Sequence, residues 1–495
     1  MTNRNLAIVV GVAALLVPVV LAVVLFPTAM IDTRELFAWG RFFPLVTHKH
    51  PPLMAWAGGL VELFLPANAF TAILAGQILN AIGVVYLYGI LRLFADRERA
   101  LFFAFLFATS LYFQVAPLSY ALNADILQVP IWLALVFHFL RAAEADAWRH
   151  WLAVGIYAAA AVLTKYSAGL LFAAGAIAAL VTPEYRPVWR NLRLYAAVLL
   201  SVLLMSPHLI ALHANDTAIR YAEQFTATAS SFPDRLTHLW LFLGCTLLFL
   251  APGWVTVAGG LLTGNLRFVP AATDAAGDAV RRFLLTLTAA LFALCLVLIF
   301  VFGTLFNHRY GAPLFGFFAA AAASAIGFRP ETQRFTERAA IWTGAAVAAL
   351  VMVVSLVAYG IFTSHNYMQE PTVEAAATMR GEWAKLYSCG PGYILGDRPS
   401  AHGIAIVGSR QGIGVPIEDI GRAPWFDPDL LAREGAIVAY RSPIPAADVE
   451  AALPGTVIAD EHTLTLPLLR TFDGETITYH YFFIPPRSCA IASTG

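Results

Sequence analysis

Charge is scarce in this chain. Only 13% of its 495 residues are charged and 59% are hydrophobic, whereas a soluble domain carries about 25% charged residues. The 31 basic and 31 acidic residues leave a formal net charge of +0, so the basic stripe that a nucleic-acid partner requires is missing. Internal repeats, charge blocks and low-complexity tracts are also lacking, apart from Ala-rich helical stretches. What fills the chain instead is long apolar runs. A mean hydropathy of +0.70 marks an integral membrane protein.

The first run, Leu6 to Phe26, is long enough to cross a bilayer as one helix. It is too long for the apolar region of a signal peptide, and Pro27-Thr28-Ala29-Met30 is a poor cleavage site, so a retained first span is expected. Hydropathy predicts about eleven spans. They fall near 6–26, 71–91, 100–117, 126–140, 151–164, 167–182, 194–212, 238–263, 283–305, 312–328 and 340–361. One set of loops holds Arg4, Arg92, Arg97, Arg99, Arg141, Arg149, Arg186, Arg190 and Arg193, then Arg267, Arg281, Arg282, Arg329, Arg334 and Arg338. The opposite set holds mainly Arg34, Arg41, Lys49, Arg220, Arg235 and Arg309. The positive-inside rule puts the first set in the cytoplasm. The N-terminus is then inside, and everything after the last span is outside.

Residues 362–495 differ in kind. Tyr393–Asp397, Ala436–Tyr440 and Thr476–Phe482 read as short strands, with Asp473-Gly474 as a turn signal before the last. A small extracytoplasmic α/β or α+β domain is expected here, distinct from a membrane domain over 1–361. Cys245 and Cys295 sit inside predicted spans and read as packing residues. Cys389 and Cys489 flank the outer strands, and an oxidising compartment would allow them to pair.

The polar residues cluster on the outward loops. Asp32-Thr33-Arg34-Glu35 follows the first span directly. The stretch after it, with Phe37, Trp39, Phe42 and Phe43, suits a helix lying in the membrane interface. His48-Lys49-His50 then brings up to three cationic donors against the rigid Pro51-Pro52. Asn123-Ala124-Asp125 either caps the following span or adds a second acid. Thr164-Lys165-Tyr166-Ser167 places a lysine at the outward end of a helical hairpin, where it either snorkels or binds phosphate. Asn307-His308-Arg309-Tyr310 repeats the pattern, and Arg suits bidentate phosphate contacts. Singly these are surface charges. Together they put carboxylate bases beside cations on one face, as needed to activate a hydroxyl and to stabilise an anionic leaving group. Attack by a hydroxyl on a sugar carbon that leaves a lipid-linked phosphate is the most economical such chemistry.

Asp32 followed by His50-Pro51-Pro52, then Leu122-Asn123-Ala124-Asp125, then Leu163-Thr164-Lys165, resembles the GT-C glycosyltransferases of the dolichyl-phosphate-mannose protein mannosyltransferase type. Their bacterial branch includes the lipid A aminoarabinose and galacturonosyl transferases. The resemblance spans about 6–330. The tail, with Tyr393–Asp397 and Ala423-Pro424-Trp425-Phe426-Asp427, looks like that of the galacturonosyl type. The resemblance implies an inverting enzyme that takes a sugar from a polyprenyl-phosphate donor to a lipid or glycan acceptor at the periplasmic face of a bacterial inner membrane. It implies Asp32 as the base on the acceptor hydroxyl and Asp125 as the second acid. Lys165, with Arg309 and His50, would hold the donor phosphate. Glu35, Lys49, His48, His308 and Tyr166 are further candidates. The chain departs from the family in having Asp32-Thr33 where an Asp-Glu pair is usual, and Lys49-His50 where the aminoarabinose branch has Glu-Lys. An acidic metal ligand is thereby lost, although His48 and His50 retain ligand chemistry. The displacement itself requires no cofactor.

Two other classes compete. A transporter or flippase would show duplicated halves and ionisable groups at mid-membrane. A non-catalytic envelope assembly protein would leave its outward charges scattered. The loop from His213 to Arg235, with Tyr221, Glu223 and Gln224, is placed to line the acceptor side.

Overall fold

The computed structural model describes residues 3–489 other than 115–120, 216–218, 220–222, 224–230, 270–273, 305–310, 330, 362–366, 409–411, 457–459 and 471–473. Its membrane half is helical. The first helix, α1 (Asn3–Leu25), is followed by two short ones, α2 (Ile31–Gly40) and α3 (Leu53–Glu62). Then come α4 (Ala69–Leu91), α5 (Arg97–Ala108), α6 (Ala124–Ala145), α7 (Trp148–Thr164), α8 (Ala168–Val181) and α9 (Leu192–Ala214). The series ends with α10 (Phe232–Phe249), α11 (Ala251–Leu262), α12 (Ala275–Phe300), α13 (Ala312–Ala325) and α14 (Gln333–Ile361).

Each predicted span overlaps a helix in this series, but the helices are not all long: the stretch expected over 100–117 has α5 only to Ala108, and its residues 115–117, like residue 305 of the stretch over 283–305, lie outside the described residues. Among the described residues six are long and apolar enough to cross a membrane, or up to eight if each bent pair is one span. The differences have local causes. The stretch expected over 238–263 is two helices bent by 67° at Leu250. Pro252 in the first turn of α11 cannot supply a backbone N–H to continue α10. After α8 a 3-10 turn (Pro183–Arg190) swings the chain by 112°, again with prolines (Pro183 and Pro187) in the turning segment. The stretch over 312–328 ends as helix at Ala325, because Ile326–Phe328 (β2) pairs antiparallel with Leu266–Phe268 (β1).

Local chemistry sets the starts of the site-bearing helices. Asn68 caps α4 by accepting from the Thr71 N–H at 2.9 Å, and Asn123 caps α6 by accepting from Ile126 at 3.0 Å. Helices α2 and α3 pack with their backbones nearly touching. A Cβ on Gly59 would lie 2.2 Å from the Gly40 carbonyl oxygen, so glycine is required on this seam.

The C-terminal unit contains α15 (Thr372–Leu386), β3 (Tyr393–Gly396), α16 (Arg398–Ala405), β4 (Ile413–Pro416) and α17 (Pro428–Glu434). It continues through β5 (Ala436–Tyr440), α18 (Ala446–Ala452), β6 (His462–Pro467) and β7 (Thr476–Ile484). One sheet runs β4-β3-β5-β7-β6, parallel among β4, β3 and β5 and antiparallel beyond. All of β3 and β5 is buried, as expected of parallel strands covered on both faces. Ile394, Ile437 and Tyr479 face Met379 and Trp383 of α15, while Leu395, Val438 and Phe482 face Val449 on the other side. Asp473 lies outside the described residues; Gly474 takes the left-handed φ of +69° that its turn requires. A disulfide joins Cys389 to Cys489. Cys295 is buried and Cys245 half-buried.

The C-terminal unit sits on α2, and this overturns two readings of the first loop. Arg34 and Arg41, counted above with the outward surface charges, are buried. Arg34 has no side-chain exposure (0%) and donates to Ala29 O at 2.7 Å, Glu370 at 2.6 Å, Pro399 O at 3.2 Å and Tyr367 O. Arg41 pairs with Glu62 and donates to Ala405 O at 2.5 Å and Ile406 O at 2.9 Å. Phe37 and Trp39 are likewise buried, in a cluster that takes in Ile406 and Trp425 from the C-terminal unit. Helix α2 is therefore sandwiched between protein layers rather than laid in a lipid interface. Phe42 and Phe43, just past its end, do remain exposed.

Candidate functional site

The site begins on α2. Asp32 and Glu35 are three residues apart on this helix and so share a face. Lys49, arriving from the loop between α2 and α3, places its Nζ 3.2 Å from Asp32 and 2.9 Å from Glu35. The two acids differ in exposure: the Asp32 side chain is 34% exposed and that of Glu35 only 1%. Burial pushes the Glu35 carboxyl above its ordinary range, the Lys49 charge opposes this, and Asp32 adds to it. Asp32 thus stays partly open to solvent, while the buried Glu35 holds the lysine from inside the protein.

The loop that delivers Lys49 is held at several points. The Thr47 hydroxyl donates to His50 O at 2.6 Å and accepts from the His50 N–H at 3.0 Å. Trp56 Nε1 donates to Pro44 O at 2.8 Å. His208 on α9 donates from Nδ1 to Leu45 O at 2.7 Å and accepts at Nε2 from the Tyr166 hydroxyl at 3.1 Å. Tyr166 therefore acts here as a brace for the loop.

A second acid–base pair stands beside the first. Asp125, in the first turn of α6, accepts from Lys165 Nζ at 2.7 Å. Lys165 follows α7 in extended backbone, so its side chain turns from the hairpin end towards α6. The Thr33 hydroxyl donates to Leu122 O at 3.2 Å, tying α2 to the start of α6. His50 follows Lys49 directly in the chain, and the Lys49, Lys165 and Asp32 charges all act on its ring.

The histidines correct the expected cationic cluster. Burial, followed by the Lys49 and Lys165 charges, drives His50 well below its ordinary pKa, so it is neutral at pH 7. Burial also lowers His48, to about 3, with Arg398, Lys49 and Arg422 adding to the shift. His48 points away from Asp32. Its Nε2 lies 3.4 Å from Asp419, and its ring meets Trp39 and Trp425 at centroid distances of 5.3 and 6.4 Å. Consecutive residues of a turn diverge, so His48-Lys49-His50 supplies one cation to the site rather than three.

Arg309 and His308 lie outside the described residues, as do Tyr221 and Gln224. Glu223 is described and exposed. Among the described residues no group of three or more His, Cys, Asp or Glu is placed to hold a metal ion. Asp32 and Glu35 fit such an ion poorly, because the Lys49 ammonium already bridges them.

The tail supplies residues that were not read as part of the site. Arg398, first in α16, brings Nε to 3.3 Å from Glu35, and its Nη2 lies 2.9 Å from Glu418 and 3.4 Å from Asp419. A signal was present: Asp397-Arg398-Pro399-Ser400 is a helix start just beyond a parallel strand, and the carboxyl ends of such strands are where α/β sheets place functional groups.

Residues 49–210 match the family described as dolichyl-phosphate-mannose-protein mannosyltransferase. No curated protein matches the chain in sequence. The crystal structure of ArnT from Cupriavidus metallidurans in the apo state superposes with a TM-score of 0.58 at 15% identity, covering 96% of this chain and 97% of that one. The same protein bound to undecaprenyl phosphate gives 0.56 at 15% identity, again over 96% and 97%. At this identity the likeness is one of fold. In sequence over residues 49–210, and in fold over nearly its whole length, the chain resembles the GT-C membrane glycosyltransferases of the protein mannosyltransferase and ArnT type.

Proposed function

We propose that the protein is an inverting glycosyltransferase. It moves a sugar from a polyprenyl-phosphate donor to a hydroxyl or phosphate of a lipid or glycan acceptor at the outer face of a bacterial inner membrane. In this reading the membrane half crosses the bilayer about eleven times, with its N-terminus inside and its C-terminal unit in the periplasm. The observation that carries the proposal is the half-open Asp32 carboxylate, held by Lys49 next to a second acid–lysine pair, Asp125–Lys165.

The reaction is a single displacement. As the acceptor oxygen attacks the anomeric carbon, its proton passes to Asp32. The bond from that carbon to the phosphate oxygen breaks, and the lipid phosphate leaves with the electron pair. Lys165 and Arg309 stabilise the departing charge. His50, neutral, contributes an N–H donor rather than a charge. Lys49 keeps Asp32 ionised and oriented until the proton arrives. No proton donor is needed for the leaving group, because a phosphate is already a weak base. Each positioned charge of this kind contributes about a hundredfold to a thousandfold in rate.

The test is transfer from a radiolabelled polyprenyl-phosphate sugar pool to extractable glycolipid, in membranes carrying wild type or Asp32→Asn. Loss of labelled product at equal expression supports the reading and identifies the acceptor fraction. Equal labelling with and without the protein removes it.

A further inference from the structure

We propose that Arg398, carried by the C-terminal unit, is a positioning residue of the membrane-domain site: it holds the Glu35 carboxylate, which in turn sets Lys49 against Asp32. The inference rests on the glycosyltransferase reading and adds to it a role for the tail, which is then part of the site rather than its cover.

The geometry forms a continuous chain. Arg398 Nε lies 3.3 Å from Glu35 Oε1, while the other oxygen, Oε2, accepts from Lys49 Nζ at 2.9 Å. Lys49 reaches on to Asp32 at 3.2 Å. Each oxygen of Glu35 therefore faces a cation, one from each half of the protein: a hydrogen bond from Lys49, and an ion-pair contact with Arg398 that lacks hydrogen-bond geometry. A carboxylate that is 1% exposed stays ionised only when so paired. Were Arg398 removed, Glu35 would favour its protonated form and stop attracting Lys49. The ammonium would then shift wholly onto Asp32 and weaken it as a base.

Arg398 is itself held in place. Asp397 caps α16 by accepting from the Ser400 N–H at 3.0 Å, and Pro399 fixes the first turn. A Cβ on Gly403 would lie 2.9 Å from Arg34 Nη1, so the helix rests directly on the buried guanidinium of α2. Glu418 and Asp419 grip the far side of the Arg398 guanidinium. The charged and titratable groups around the Glu35–Arg398 contact are Asp32, Lys49, Glu418, Asp419, Arg422, His48 and His402. The two histidines are neutral at working pH, since burial lowers both. They leave the contact to the acids and the three cations Lys49, Arg398 and Arg422.

The experiment uses full-length protein in detergent or proteoliposomes and compares Arg398→Gln, Arg398→Lys, Glu35→Gln, the double variant Glu35→Gln/Arg398→Gln, and Asp32→Asn. Sugar transfer is measured as kcat and KM across pH, and docking of the tail is followed by limited proteolysis. Arg398→Gln should lower kcat about tenfold or more with little change in donor KM, and move to higher pH the acid limb set by Glu35, whose ionised form loses a stabilising cation and must form before Lys49 is drawn off Asp32. Arg398→Lys should restore most of both. The double variant should be no slower than Glu35→Gln, because Arg398 acts through that carboxylate.

Losses that multiply in the double variant overturn the proposal. So does an unmoved pH profile, whether activity falls or not. If Arg398→Gln frees the tail to protease, the lysine variant decides in its place: a docked Arg398→Lys whose profile departs as far as that of Glu35→Gln counts against the proposal. Activity surviving in Asp32→Asn defeats the glycosyltransferase reading itself, whereas a dead Asp32→Asn with an unaffected Arg398→Gln defeats only the role of Arg398.

Discussion

Replacing Arg34 should release the C-terminal unit from the membrane half. Its guanidinium has no exposed surface, and its four partners come from both sides of the junction: Ala29 O beneath, and Tyr367 O, Glu370 and Pro399 O above. Arg34→Met keeps the aliphatic bulk but leaves three carbonyls without this donor. Breaking a buried ion pair costs about 3–5 kcal/mol, and each lost hydrogen bond from the charged guanidinium about 1.5 kcal/mol or more. These do not simply add, and Glu370 keeps Arg441 as a partner at 3.1 Å. The expected loss of docking free energy is therefore about 3–4 kcal/mol, two to three decades in the docking equilibrium. Arg34→Lys retains the charge but not the fork that reaches all four acceptors, and should cost about 2 kcal/mol. Limited proteolysis of purified protein, read as the rate at which the tail is clipped, ranks the three proteins directly. Wild-type rates in Arg34→Met would refute the assignment of Arg34 as the junction's main tie.

Acidification should loosen the same junction. His48 is lowered to about 3 and His402 well below its ordinary value, burial being the first cause of each. Undocked, both take up protons below about pH 6.5, so docking is at full strength above that value and weakens as pH falls, by up to about 1.4 kcal/mol per pH unit for each histidine. Burial raises Asp419, which opposes the trend only where that carboxyl titrates. Tail proteolysis should rise between pH 7 and 5, and a flat profile would contradict the neutral buried histidines. On the seam beneath the site, Gly58→Ala would set a Cβ 2.0 Å from Leu36 Cδ2 and 2.8 Å from Leu36 O. Overpacking of this kind costs about 1–3 kcal/mol. It should push α2 off α3, lowering both the melting temperature and sugar transfer, and an unchanged Tm would refute the close approach.

Much of the membrane half was legible because lipid-facing helices announce themselves by apolar length alone. The bends were less so. Pro252 is a local signal, but a hydropathy window averages across it. The strands of the tail could be read from their apolar runs, whereas the order β4-β3-β5-β7-β6 could not, since it depends on pairings distant in sequence. Asp32, Asp125 and Lys165 were singled out from their setting at helix ends, and the structure places each of the two acids against a lysine. What could not be read was direction. His48 and Lys49 are neighbours whose side chains part, one to Asp419 and one to Asp32. Likewise nothing near α2 reveals that Arg34, Phe37 and Trp39 are buried, because the layer that covers them is encoded at the other end of the chain.

That separation has a consequence for biosynthesis. Arg41 and its acceptor Ala405 are 364 residues apart, so the first loop leaves the ribosome long before α16 exists. At about 5–20 residues per second, Arg41 waits roughly 20 to 70 seconds for its acceptor on α16. A chain that ends before α16 carries the membrane helices, yet its Glu35 has Lys49 without Arg398. The contacts of Glu35 and Arg41 with the C-terminal unit are therefore timed by the synthesis of α16.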